Sequence, residues 1–115
     1  MSEQITITPT RPYMVRALYQ WIEDNALTPY LMVDATADNV QVPKEHVQDG
    51  RIVLNIASRA TGNMSMENDY IHFSARFGCV SQAIWVPLTA VMGVYAKANS
   101  QGMFFDPNEY DDYVH

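Results

Sequence analysis

The side chains able to make or break bonds are few in this sequence, and they stand apart. His46, His72 and His115 lie far from one another and show none of the close pairing from which a metal site draws its ligands. Cys79 is the only cysteine, so it has neither a disulfide partner within the chain nor a second thiol for a zinc site. It reads as a small buried or half-buried hydrophobe. A nucleophile pair of Cys79 with His72 would lack a third group to orient the base. His72 alternates with apolar neighbours and reads as an exposed strand histidine. Asp111 and Asp112 could chelate a cation, but adjacent acids at a chain end read as solvated. The glycines at 50, 62, 78, 93 and 102 are scattered, which leaves no phosphate-cradling loop, and no serine elbow occurs. The expectation is a protein that is not an enzyme and that uses no cofactor or metal.

The elements that would carry these residues begin with a helix. Thr8 or Thr10 can cap it, and Pro12 suits its first turn, where a missing N–H costs nothing. Met14, Leu18, Trp21 and Ile22 recur at helical spacing, and Tyr13, Ala17 and Tyr19 widen the apolar surface. Asp24 and Asn25 break the pattern and Pro29 stops it. Such a face serves the domain's own sheet or a second copy of the chain, and both uses have one sequence signature.

After Pro29 the periodicity becomes that of strands. Residues 30–35 are mostly apolar, Val40 and Val42 alternate before Pro43, and residues 51–57 are rich in branched side chains after the Asp49-Gly50 turn. Met64 and Met66 flank Ser65, Asn68-Asp69 suits a tight turn, and Tyr70, His72, Ser74 and Arg76 alternate with Ile71, Phe73, Ala75 and Phe77, which makes a hairpin. A further strand covers residues 83–86. Residues 88–99 fit either a helix or a buried strand, and Met103, Phe104 and Phe105 close the domain as an edge segment. The expected fold is mainly β with an N-terminal helix, an α+β arrangement built as a partly open barrel or a small two-sheet sandwich. One domain over residues 10–107 would be flanked by a flexible start, residues 1–9, and the beginning of an acidic tail, residues 108–115.

Composition narrows the partners. Hydrophobic residues make up 48% of the 115, enough for one real core. Thirteen acids against seven Lys and Arg leave a net charge of -6, which repels phosphate backbones and disfavours nucleic acid. No apolar run is long enough to span a membrane and the start lacks a signal-peptide pattern, so a cytoplasmic protein is expected. What remains is a strand protein with open edges, able to accept an extended peptide as an added strand without any catalytic residue.

Short motifs in order extend this. Arg11-Pro12-Tyr13, WIEDNALTP over residues 21–29, Val33-Asp34-Ala35-Thr36, Gln41-Val42-Pro43 and DGRIVLN over residues 49–55 occur in sequence. ATGN over 60–63, SARFG over 74–78, Val86-Pro87-Leu88, VYAKAN over 94–99 and the segment 103–107 follow. In order and spacing this set resembles the stringent starvation protein B family, across residues 11–107. The resemblance implies a Sm-like, partly open barrel and a homodimer joined largely through the first helix, with Tyr13, Ala17, Leu18 and Trp21 as contacts shared between partner and core.

It also implies a groove for the ssrA degradation tag, and tethering of that cargo to ClpX of the ClpXP protease, so that the gain is effective concentration. The groove wall expected from the resemblance is the SARF strand, with Phe73, Ala75 and Phe77 on one face, Ala75 small enough for a backbone to approach, and Arg76 toward the rim. Asn55, Ile56, Ala57 and Ala60 would oppose it, with Met103 and Phe104 over one end. Family members carry a long acidic linker and a ClpX-docking motif after the domain. This chain ends at His115, so it is expected to hold tagged peptide without speeding its delivery. Two other classes stand beside this reading: a Sm-like RNA-binding module, and a thiol enzyme or redox switch on Cys79.

Overall fold

The structure, a computed structural model, describes residues 7–110. The Asp111-Asp112 pair, His115 and most of the expected flexible start and acidic tail lie outside the described residues.

Helix α1, Arg11–Asp24, begins where Pro12 supplies a preset φ at a position needing no N–H donor; Thr10 holds the N-cap without a side-chain capping bond. Its buried positions are Arg11, Pro12, Val15, Leu18 and Ile22, one stripe of 3.6 periodicity laid mainly against β6 and β1. Tyr13 and Trp21, at 48% and 47% exposure, point the other way. Trp21, spaced like a core residue, is thus displaced by its neighbour Ile22, because adjacent helix positions diverge by about 100° and only one can face the sheet. Ala26 ends the helix in a left-handed conformation, φ 58.

Seven strands follow: β1 Pro29–Asp34, β2 Arg51–Asn55, β3 Thr61–Met66, β4 Tyr70–Phe77, β5 Val80–Pro87, β6 Val91–Ala96 and β7 Gly102–Phe104. They form two antiparallel sheets, β2-β1-β6-β7 and β3-β4-β5. Strand pairing does not close them into a barrel, so the two-sheet form of the expected α+β fold is the one adopted. Residues 88–99 resolve into a 3-10 turn, Leu88–Ala90, and then β6. As a central strand under α1, β6 buries Val91, Gly93, Val94 and Ala96, which is why it reads as a run and not as an alternation.

The core joins the inner faces of both sheets to the helix: Leu31, Val33, Ile52, Leu54, Ile71, Phe73, Ile84, Val86 and Val94 pack with Val15, Leu18 and Ile22. The β3–β4 hairpin closes through Glu67 N–H to Tyr70 O at 2.9 Å and is pinned to α1 by Arg16, which donates to Met66 O at 3.1 Å and Asn68 Oδ1 at 2.9 Å. Cys79 is exposed, contrary to the buried or half-buried state expected of it. Gly78, at φ 68, turns the chain between β4 and β5 and carries the next residue out of the sheets. Among the described residues no helix is long and apolar enough to cross a membrane.

Candidate functional site

Passage between the two sheets builds the site. From the end of β2 the chain runs through Ile56 and Ala57, both fully buried, into a 3-10 turn, Ser58–Ala60, and then into β3. Three local bonds hold this crossing. Asn55 Oδ1 accepts from Ala57 N–H at 3.0 Å, Glu23 Oε2 at the end of α1 accepts from Ser58 N–H at 2.9 Å, and Arg59 donates to Thr28 Oγ1 at 2.8 Å. A short polar side chain that bonds two residues ahead makes the turn independent of the sheet ladder.

The crossing places Arg59 and Ala60 beside β4. Register pairs Thr61 with Ala75 and Gly62 with Ser74, with a bulge before Ser65 that leaves the outer edge of β3 irregular. Here Arg59, Ala60, Thr61, Gly62, Ser74, Ala75, Arg76 and Ser81 line one open cleft of about 340 Å³. Ser74 Oγ, at 3.3 Å from Gly62 O, would sit too close to any side chain added at Gly62. The inner face of β4 emerges gradually from the core toward this cleft: Ile71 and Phe73 are sealed, Ala75 and Phe77 half-buried, and His46 covers the Phe77 ring at 4.8 Å.

Ala60, Ala75 and Arg76 therefore meet in one place. Phe73, Ile56 and Ala57 are buried and do not line the cleft, while Asn55 is exposed with its side chain engaged by the turn. Met103 and Phe104 lie on β7 in the other sheet and do not line the cleft; Phe104, 59% exposed, stacks on Tyr95 at 5.6 Å. Arg59, Thr61, Gly62, Ser74 and Ser81 are cleft residues that sequence reasoning missed. Their signal was adjacency, since Arg59 precedes the ATGN motif and Ser74 opens SARF.

On the helix, Tyr13, Ala17 and Trp21 form an exposed row, and Leu18 belongs to the core at 9% exposure. His72 stands outward on β4 in edge contact with Trp85, which stacks on Tyr70 at 4.1 Å. Cys79 lies seven residues further along, roughly 20 Å in an extended strand, so the pair cannot meet as nucleophile and base. Among the described residues no group of three or more His, Cys, Asp or Glu is placed to hold a metal ion.

A mostly β, α+β protein of two antiparallel sheets, with a small-residue cleft edged by two arginines, is the class that fold and site define. Residues 9–114 match the family model described as stringent starvation protein B. The stringent starvation protein B homolog of Haemophilus influenzae is 50% identical over 106 residues, covering 91% of this chain and 71% of that protein. The chain belongs to the stringent starvation protein B family.

Proposed function

We propose that this chain is an adaptor without chemistry of its own: it holds ssrA-tagged or otherwise degron-bearing polypeptides in an extended conformation for the ClpXP protease, as a cytoplasmic homodimer joined through α1. The observation that carries the reading is the convergence of Ala60, Ala75 and Arg76 on one cleft, in a member of this family. Small side chains at Ala60, Gly62 and Ala75 let a peptide backbone approach; the Ser81 hydroxyl offers a hydrogen bond, and those of Thr61 and Ser74, which donate to Ala57 O and Gly62 O, can still accept one. Arg59 and Arg76 make the cleft locally positive in a chain of net charge -6, which suits a peptide bearing carboxylates.

The test is a titration of a fluorescent ssrA-type peptide, repeated with Ala75→Gln. Saturation at roughly micromolar protein, and affinity reduced at least about tenfold in the variant, are expected, because a longer side chain overfills the cleft floor. No saturation would sink the adaptor reading, whereas equal affinity in the variant would move the groove away from Ala75.

A further inference from the structure

Among the described residues, the side chain with the most hydrogen bonds has no part in the cleft. Arg11, at the first position of α1, is 2% exposed. Its Nη1 donates to Leu88 O and Val91 O, each at 3.1 Å, and to Thr89 O at 3.4 Å, which ties α1 to the 3-10 turn before β6. Its other two nitrogens face the chain that follows β7. Nη2 donates to Asp106 O at 2.8 Å, and Nε pairs with Glu109 Oε1 at 3.0 Å. The guanidinium also lies over the rings of Phe105, at 5.3 Å, and Tyr110, at 4.8 Å. One planar fork thus joins three separate parts of the chain, which a point-charge lysine could not do.

Phe105 and Tyr110 bracket this segment and pack half-buried against the core. Phe105 N–H donates to Met92 O at 2.9 Å, but Asn108 N–H and Glu109 N–H both turn back on Asp106, at 2.9 and 3.1 Å. Their backbone bonds thus shape a local turn, and the turn's own polar groups, Asp106 O and the Glu109 carboxylate, reach the body of the domain through Arg11. A buried guanidinium is stable only while its partners stay in place, so helix start and strap hold each other.

We propose that Arg11 is a positioning residue, a latch that straps residues 105–110 to the start of α1 and so fixes the place of Tyr110. With the latch closed, Tyr110 lies beside Pro12, at the same end of the helix as exposed Tyr13. The latch is independent of peptide binding, which uses other residues.

Hydrogen exchange on this chain and on Arg11→Gln tests the proposal, with peptide affinity measured alongside. Exchange at the amides of Phe105, Asn108 and Glu109 should rise at least about tenfold, since hydrogen bonds to a charged group are lost, while β1 and β2 keep their protection and peptide affinity does not change. If Arg11 served only general stability, exchange would rise together in the strap and in β1 and β2, and that result overturns the latch. Glu109→Ala, which removes a half-buried carboxylate and no core group, guards against a variant that fails to fold. It should raise strap exchange in the same places to a smaller extent; unchanged strap protection in Glu109→Ala would equally overturn the proposal.

Discussion

Arg76 and Arg59 share the cleft but differ in freedom: Arg59 is held by Thr28 Oγ1, whereas Arg76 is exposed at the end of β4. An exposed charge contributes modestly, so Arg76→Ala should weaken a carboxylate-bearing peptide by about two- to fivefold, with less salt dependence than the parent, as titration at two ionic strengths would read. Residue-scale titration has a sign of its own. Burial, with Tyr30 second, raises the phenol pKa of Tyr95 above its ordinary 10.0, and burial, with Glu23 second, does the same for Tyr19 against an opposing hydrogen bond with Ser58. The fold favours both phenols neutral, so this stability is fully present below pH 10 and is lost as pH rises through the folded values. Thermal melts at about pH 9 and about pH 11 should show a loss that Tyr95→Phe reduces, and an equal loss in that variant would refute the assignment. The candidate residues legible in sequence at this scale were the small and charged ones of SARF and ATGN; Phe73, on the same strand, is invisible to a ligand because alternation turns it into the core.

Helix α1 carries two faces, and they meet different surfaces. The stripe of Val15, Leu18 and Ile22 is consumed by the sheet, while Tyr13, Ala17 and Trp21 stay exposed. If the proposed homodimer forms through that row, Trp21→Asp gives a monomer by light scattering with its melting temperature little changed; a variant that stays dimeric removes Trp21 from the interface. At the other end of the four-stranded sheet, β7 is a three-residue edge strand whose first position crowds β6. A Cβ on Gly102 would run into Val94 O and the backbone of Tyr95. Gly102→Ala should therefore unpair β7, at a cost of about 1 to 3 kcal/mol in denaturant melts. The helix and the β3–β4 hairpin were legible because their periodicities of 3.6 and 2 run for several repeats. For residues 88–99 periodicity could not choose, since a strand covered on both faces and a helix segment share one apolar pattern.

At the scale of the molecule the two sheets, the helix and the strap form one body around a single core. Phe73 sits where β4 meets that core at 2% exposure, so Phe73→Ala should destabilise the fold by about 3 to 5 kcal/mol in chemical denaturation. Its effect on peptide binding should follow only from unfolding, since the ring has no free surface. Sequence alone determined the α+β class, the N-terminal helix, the β3–β4 hairpin, the alternation along β4 and, through its ordered motifs, the family. These depend on local periodicity, turn chemistry and residue identity, all of which are written in neighbouring positions. Tertiary structure alone decided that the strands split into two sheets, that Cys79 faces solvent, that Arg59 shares a cleft with Arg76, that Met103 and Phe104 lie on the other sheet, and that Arg11 clasps a turn 98 positions away. The reason is the same in each case: such contacts join residues far apart in sequence. Their partners are selected by how sheets pack and chains cross, which no local pattern encodes.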